Sequence, residues 1–273
     1  MAERKRYAIV TGAASGLGRA LCLELAKEGW CVCAADVNEA GARETIRMVA
    51  DAGGTGLAQH LDVTRLEQWQ ELSKRLRSQW PHLDLLVNNA GVAGAGRVGE
   101  FPIEDWRWIL DVNIYNAVYG CHVFVDWLKT NPSGAHIINT ASMAGIASPP
   151  TMAAYNVSKA AVIGLSETLW SELRRDRVGV TVLCPEFFKT NLLDNPRISD
   201  PDALGWARKA FERSPFTAED VARAAVRAMK RKQLYVILPK AARWRWCLKR
   251  LFPTYFLGKV ASIFEKAAAK KRT

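Results

Sequence analysis

The chain lacks the features that mark membrane spans, secretion and metal centres. No stretch in its 273 residues approaches the roughly 18 uninterrupted apolar residues of a transmembrane helix, so we expect no membrane-spanning segment. The first residues, 1–6, lead directly into an apolar run, and no signal peptide is expected there. The four histidines do not cluster, and no C-x-x-C pair is present. These absences favour a cytoplasmic protein without a structural metal.

Cysteine is present but scattered. Most of the six cysteines fall inside predicted strands or helices, where cysteine acts as a small hydrophobe. Cys31 and Cys33 share one face of a predicted strand, but the further ligands that a metal would need are missing. The pattern predicts free thiols in a reducing compartment.

Acidic residues are nearly missing from the last part of the chain. Residues 240–273 hold ten Lys or Arg and one acid, Glu265, and so carry +9 of the formal net charge of +11. Apolar residues recur there at helical spacing. A first stripe precedes Pro253 and consists of Trp244, Cys247, Leu248, Leu251 and Phe252, and a second follows it with Phe256, Val260, Ile263, Phe264 and Ala267.

Three interpretations of this basic extension remain open. A basic amphipathic helix with aromatic residues can lie on an anionic membrane surface, here the inner face. It can equally pack on the protein body or on another subunit and leave its cations in water. Nucleic-acid binding is least supported, because no recognition motif accompanies the charge.

A glycine-rich turn near the N-terminus predicts a phosphate-binding loop. The apolar run Tyr7–Val10 resembles a buried strand, and the segment from Thr11 to Gly18 then leads into a helical pattern. The turn contains Gly12, Ser15, Gly16, Leu17 and Gly18. Glycine permits the tight turn and a close approach of backbone to ligand, and the helix N-terminus offers N–H groups to a pyrophosphate. The spacing is T-G-x-x-x-G-x-G rather than G-x-G-x-x-G.

A second predicted strand ends in Asp36, eighteen residues past Gly18. A carboxylate at this place can accept hydrogen bonds from ribose hydroxyls and would repel a 2′-phosphate. Neither Ser15 nor Val37 is basic, which agrees. We therefore expect NAD as the cofactor, with NADP less favoured; the alternative is that Asp36 only stabilises the turn before Asn38.

Three polar residues further along the chain predict proton-transfer chemistry. Tyr155 and Lys159 are four residues apart and share one face of a predicted helix, and Ser142 precedes Tyr155 by thirteen residues. A neighbouring ammonium group would lower the pKa of the phenol from about 10 toward neutrality. Tyr155 could then exchange a proton with an alcohol or carbonyl whose oxygen Ser142 holds.

With these residues in place, the chain resembles the short-chain dehydrogenase/reductase family over roughly residues 5–240. The resemblance is carried by the glycine turn, Asp62-Val63, Asn88-Asn89-Ala90-Gly91, Asn113, Ser142 and Tyr155-x-x-x-Lys159, in the order and spacing of the family. It implies a catalytic tetrad of Asn113, Ser142, Tyr155 and Lys159. It also implies cofactor contacts from Tyr155, Lys159, Pro185, Thr190, Asp62, Val63, Asn89, Ala90 and Gly91. The resemblance also implies that this chain forms a homodimer or a homotetramer.

One position departs from the family pattern. Cys184-Pro185 is followed by Glu186 where glycine is usual. Glu186 either turns outward without a role or contributes to substrate recognition. Residues 186–216 are predicted to form a substrate lid with many apolar side chains: Phe187, Phe188, Leu192, Leu193, Ile198, Leu204, Trp206 and Phe211. An apolar lid would suit a lipophilic alcohol or ketone, although the same residues could simply pack on the core.

Strand and helix patterns alternate along the chain. We therefore predict an α/β fold, a Rossmann-type doubly wound parallel sheet in one domain, 1–239, followed by the basic helical extension, 240–273. Thr64 is expected to cap a helix, and 100–126 to hold one long helical segment. The function predicted is an NAD(P)-dependent oxidoreductase that interconverts a lipophilic alcohol with its ketone or aldehyde. The alternative is a nucleotide-binding scaffold at a membrane surface with little or no turnover.

Overall fold

The structure, a computed structural model, describes residues 4–194, 196–199 and 201–269. Seven parallel strands form one sheet in the order β3-β2-β1-β4-β6-β7-β9. Two short strands, β5 and β8, pair separately. The strands are β1 Tyr7–Thr11, β2 Cys31–Asp36, β3 Thr55–His60, β4 Leu85–Asn88, β5 Gly94–Ala95, β6 Ala135–Thr140, β7 Val178–Pro185, β8 Arg197–Ile198 and β9 Tyr235–Leu238. The predicted doubly wound parallel sheet is confirmed.

Helices cover both faces of this sheet. They are α1 Gly16–Ala26, α2 Glu39–Asp51, α3 Leu66–Gln79, α4 Ile103–Leu110, α5 Asn116–Lys129, α6 Met143–Ala147, α7 Ala153–Glu172, α8 Pro201–Glu212, α9 Ala218–Lys230, α10 Ala242–Leu251 and α11 Pro253–Ala269. The side chains of Leu204 and Trp206, both predicted in the lid, lie outside the described part of the structure. Residues 1–3 of the predicted domain and residues 270–273 of the predicted extension also lie outside it.

The central strands are apolar on both faces because helices cover both. In β1, Ala8 and Val10 pack into the cluster beneath α1 and α9, whereas Ile9 between them packs into the cluster beneath α3 and α5. This alternation follows from the period of two in a strand. It explains why the strand sequence is continuously apolar rather than alternating.

Two local expectations differ from the structure. Thr64 does not cap α3, since its hydroxyl and its amide both donate to the Asp62 carboxylate, and Arg65 occupies the capping position instead. The helical segment expected over 100–126 is divided by a five-residue π-helical turn, Asp111–Tyr115, between α4 and α5. Such a turn carries one extra residue per turn of backbone, and the periodicity of apolar residues does not reveal it.

The basic extension forms α10 and α11, which follow β9 directly. Ala242 is buried against the body, the Trp246 ring lies 4.7 Å from the Tyr235 ring, and Phe256 is buried. The extension therefore folds back on the protein. Among the described residues, no helix combines the length and the apolar character needed to cross a bilayer.

Candidate functional site

A cavity of about 600 Å³ lies at the carboxyl edge of the sheet. Parallel α/β sheets bind ligands at this edge, where strands end and loops begin. Residues at the carboxyl ends of β1, β2, β4, β6 and β7, or directly after them, reach the cavity. Most of the predicted site residues line it: Gly12, Ser15, Gly16, Leu17, Gly18, Asp36, Asn89, Ala90, Gly91, Ser142, Tyr155, Lys159, Pro185, Glu186, Phe187, Thr190 and Leu192.

The glycine turn has the geometry of a phosphate-binding loop. Gly12 has a φ of +65°, a conformation that side chains disfavour. A Cβ at Gly18 would lie 2.0 Å from the Gly12 carbonyl oxygen, so the turn and the start of α1 can approach only with glycine there. The side chain of Ser15 does not cap α1, and no acidic residue occupies its first turn. The helix N-terminus therefore keeps N–H groups for an anion.

Asp36 is held in place at the end of β2. Its two carboxylate oxygens accept hydrogen bonds from the backbone amides of Ala14 and Asn38, each at 2.9 Å. The residue stabilises the turn and lines the cavity at the same time. The two alternatives weighed for it from the sequence are thus compatible.

Asp62 and Val63 do not line the cavity. The Asp62 carboxylate is occupied by Thr64, and Val63 is buried in the core, where its carbonyl accepts from the Trp69 indole at 3.1 Å. Their contact with an adenine ring stays a prediction of the resemblance.

A buried polar network holds the loop after β4, and the sequence did not predict it. The Thr11 hydroxyl accepts from the amides of Asn89 and Ala90 at 2.9 and 3.0 Å and donates to the Asn116 side chain at 2.9 Å. Asn116 in turn donates to the Ala90 carbonyl at 3.1 Å. The network positions the Asn89-Ala90-Gly91 backbone beside the glycine turn. The T-G start of the turn was the only available signal.

The three proton-transfer residues meet in the cavity. Tyr155 and Lys159 lie on α7, one turn apart, and both are buried. Ser142 caps the short helix α6 by accepting from the amide of Ala144 at 3.1 Å, and its hydroxyl donates to the Pro185 carbonyl at 3.4 Å. The Lys159 Nζ donates to the Thr140 carbonyl at 3.0 Å and lies 5.7 Å from the centroid of the Tyr155 ring.

The expected low pKa of Tyr155 is not found. Burial raises the pKa of Tyr155 to about 12, and the hydrogen bond from Ser142 opposes this only in part. Burial also lowers the pKa of Lys159 to about 8. The spacing of four residues correctly placed the Lys159 ammonium near the Tyr155 phenol. Burial nevertheless raises the pKa of the phenol by more than the ammonium lowers it, because burial disfavours the charged phenolate. The phenol of Tyr155 is therefore protonated at neutral pH.

Asn113 lies beside the site rather than in its lining. It is buried in the π-helical turn, where its side chain bonds both backbone groups of Val92, at 2.8 and 3.1 Å, and the Ser158 hydroxyl at 2.9 Å. A Cβ at Gly91 would lie 3.0 Å from the Asn113 Oδ1 and 3.3 Å from the Lys159 Nζ. Asn113 therefore lies close to the ammonium group, and its catalytic role stays a prediction.

The segment after β7 forms one wall of the cavity. Phe187, Phe188, Leu192, Leu193 and Phe211 line it, whereas Ile198 pairs in β8 with β5. Glu186 also lines the cavity and forms an ion pair with Arg245 of α10. Because of this ion pair, the Glu186 carboxylate is neither free in solvent nor an unpaired charge in the cavity.

The C-terminal extension forms part of the cavity wall. The sequence did not predict this position of the extension. Five apolar residues of α10 and α11 line it: Leu248, Phe256, Val260, Ile263 and Phe264. Arg245 and Lys259 join them. Four of the apolar residues belong to the second stripe of the sequence. The stripe indicated an apolar helix face, but not which surface that face covers.

The site fits a dinucleotide cofactor. The uncapped N-terminus of α1 and the Gly12–Gly18 approach form a cradle for phosphate, and Asp36 stands where ribose hydroxyls would bind. Tyr155, Lys159 and Ser142 lie in the same cavity, further toward α6 and α7. Among the described residues, no group of His, Cys, Asp or Glu could hold a metal ion.

Comparison with known proteins agrees with this geometry. Residues 6–200 match the family model described as short chain dehydrogenase. A crystal structure of a short-chain dehydrogenase/reductase from Burkholderia phymatum in complex with NAD is 33% identical, covers 90% of this chain and 95% of that chain, and superposes with a TM-score of 0.84.

Two curated proteins are also similar. The probable oxidoreductase EphD of Mycobacterium tuberculosis is 34% identical over 232 residues, which are 82% of this chain but only 39% of that protein. A 3beta-hydroxysteroid dehydrogenase of Mediterraneibacter gnavus is 33% identical over 191 residues, 70% of this chain and 68% of the relative. The chain thus spans about two fifths of the mycobacterial relative.

Proposed function

Since the chain belongs to the short-chain dehydrogenase family, we propose that it is an oxidoreductase that interconverts a lipophilic secondary alcohol and its ketone with NAD. The observation that carries this proposal is the meeting of Tyr155, Ser142 and Lys159 with the glycine turn in one cavity. A scaffold protein would have no need for that combination.

The chain's own residues have separable tasks in this reaction. The bound nicotinamide would supply or accept the hydride. Tyr155 would give its phenolic proton to the carbonyl oxygen in reduction and remove the hydroxyl proton in oxidation. Ser142 would hold the substrate oxygen and stabilise its developing charge. Lys159 would anchor the cofactor ribose, with the Thr140 carbonyl fixing its position.

A lipophilic substrate is supported by the walls of the cavity. Aromatic and aliphatic side chains from the segment after β7 and from α11 face the space beside Tyr155. A volume of about 600 Å³ lies within the range of sites that enclose drug-sized ligands. The relative named as a steroid dehydrogenase supports the same class of substrate.

A preference for NAD is supported by Asp36. Its carboxylate is fixed by two backbone amides at the end of β2, so it cannot easily move away from a 2′-phosphate. The Burkholderia relative was crystallised with NAD. The free cysteines support a reducing compartment such as the cytoplasm.

The test is a panel of alcohols and ketones of increasing size, followed at the nicotinamide absorbance with NAD and NADP in parallel. We expect turnover with NAD and a preference for bulky apolar substrates. Tyr155→Phe should retain NAD binding and lower turnover by a factor on the order of 10²–10⁴. Near-normal turnover in that variant would refute the assignment of Tyr155, and Tyr119→Phe, on α5 and outside the cavity lining, is the matched control.

A further inference from the structure

Helix α10 packs on the body mainly through its polar side. Arg245 pairs with Glu186, and the Lys249 Nζ donates to the carbonyl of Ile146 and to the Ser148 hydroxyl. Ala242 and Trp246 provide the apolar part of this contact. Apart from Leu248, which lines the cavity, the first apolar stripe of the sequence is therefore not what attaches the helix to the protein.

Most of that stripe is exposed, and so is Tyr255 just beyond it. The exposed fractions are 80% for Trp244, 72% for Leu251, 59% for Phe252 and 58% for Tyr255. Cys247 is exposed on the same side of α10. We call Trp244, Cys247, Leu251, Phe252 and Tyr255 the outer patch. Single exposed apolar residues are ordinary, but five large or apolar ones in twelve positions mark a binding surface.

Exposed cations accompany the outer patch along α10 and α11. Lys240, Arg243, Arg250, Lys259 and Lys266 are exposed, and Glu265 is the single acid in residues 240–273. The Arg250 guanidinium lies 5.4 Å from the Trp246 ring centroid, and the Lys259 Nζ lies 5.4 Å from that of Tyr255. Aromatic rings beside lysine and arginine are typical of helices at a lipid–water boundary.

We propose that the outer patch docks on the surface of an anionic phospholipid bilayer. The apolar side chains would enter the headgroup region and the flanking cations would meet lipid phosphates. A second copy fits less well, because a symmetric contact through this patch would bring two strongly basic segments together. A nucleic acid would satisfy the cations but leave Leu251 and Phe252 in water.

Docking would place the cavity next to lipid. Helix α11 lines the cavity with Phe256, Val260, Ile263 and Phe264, while Tyr255 on the same helix belongs to the outer patch. One element therefore forms both the wall of the site and part of the docking surface. Entry of a lipophilic substrate from the bilayer into the cavity rests on the proposed function. The docking itself does not depend on that function.

The experiment is co-sedimentation of the full-length chain with vesicles. Phosphatidylcholine vesicles containing about 30 mol% phosphatidylglycerol are compared with vesicles of phosphatidylcholine alone. We expect at least about tenfold tighter binding to the anionic vesicles, weakened by added salt. The variant Trp244→Ala/Leu251→Ala/Phe252→Ala should lose most of that binding, because it removes the apolar contact and keeps every charge. Val98→Ala/Ile103→Ala removes exposed apolar residues elsewhere and should bind as the parent does.

Two outcomes overturn the proposal. One is equal sedimentation of the triple variant and the parent, or no sedimentation of either. The other is a doubled mass by light scattering without vesicles that the triple variant abolishes, since this would make the outer patch an interface between copies. The triple variant leaves the cavity lining of α11 unchanged, so turnover of a short, water-soluble alcohol should be retained. Vesicle binding by a protein without turnover would support docking and count against the proposed function.

Discussion

Tyr155 has the burial of a core residue and the position of a catalytic one. Burial places its pKa at about 12, so the phenol is protonated across the neutral range. A protonated phenol is ready to donate to a carbonyl oxygen, whereas oxidation of an alcohol needs the phenolate. The rates of reduction and of oxidation should therefore respond differently to pH.

We expect kcat/KM for alcohol oxidation to rise with pH from about pH 6 to about pH 7.5, where Lys159 keeps its charge, by up to roughly tenfold per unit, because the fraction of phenolate rises in that proportion below the pKa. Reduction of the ketone should change little over the same interval. Initial rates in both directions, in buffers of constant ionic strength, would check this. An oxidation rate that falls as pH rises through this interval would contradict it.

Asp36 allows a second test at the scale of one residue. Asp36→Asn keeps the size of the side chain and removes its charge, so a 2′-phosphate is no longer repelled. The ratio of kcat/KM for NAD to that for NADP should fall by about tenfold, the effect of a charge interaction near 1.4 kcal/mol. Glu39→Gln, an acid at the start of α2, is the matched control and should leave the ratio unchanged.

Much of this site could be predicted from the residue types and their spacing in the sequence. The glycine turn, Asp36, Ser142, Tyr155 and Lys159 were predictable, because each follows a strand or shares a helix face with its partner. The support of Asn89 by Thr11 and Asn116 was not, since it joins positions 78 and 105 residues apart. The protonation of Tyr155 was predicted with the wrong sign, because the sequence shows which charges are neighbours but not how far both are desolvated.

At the scale of an element, α11 acts as a wall of the site. One face carries Phe256, Val260, Ile263 and Phe264 toward the cavity, and Leu257 is partly exposed on another side. The periodicity predicted both apolar stripes of the extension. It did not predict that four residues of the second stripe line the cavity, nor that the first stripe, apart from Leu248, stays in water. An amphipathic pattern does not identify the surface that its apolar face meets.

Enlarging a residue of this wall should narrow substrate choice. Val260→Trp would fill part of the cavity, so kcat/KM should fall about tenfold or more for a bulky alcohol and little for a small one. Leu257→Trp places the same side chain on the same helix outside the cavity lining and should preserve the ratio. Kinetics on the size-graded alcohols would check this. Equal losses for large and small substrates would show that α11 contributes stability rather than selectivity.

For the whole molecule, a buried histidine makes stability depend on pH. His136 belongs to β6, and its Nε2 lies 2.8 Å from the Thr181 hydroxyl of β7. Burial, with a contribution from Lys232, lowers the pKa of His136 from 6.5 to about 3. The unfolded chain therefore binds a proton below about pH 6.5 that the folded chain does not. The stability contributed by neutral His136 is complete above this pH and is lost as pH falls toward 3.

From about pH 7 to about pH 5, His136 should account for a loss of about 2 kcal/mol in the free energy of unfolding. Urea titrations at both pH values would measure the total loss, and His136→Asn should reduce that loss by this amount even if the variant is less stable at pH 7. His122→Asn, on the exposed side of α5, is the control. An unchanged pH dependence in His136→Asn would exclude this assignment.

The distribution of thiols leaves one cysteine accessible to chemical labelling. Five cysteines are buried within the sheet and its covering helices, and Cys247 alone among the six is exposed, in the outer patch. A maleimide fluorophore added to the native protein should therefore attach at one point, without any engineered substitution. Its emission would then follow the polarity around α10 directly and report contact with lipid in real time.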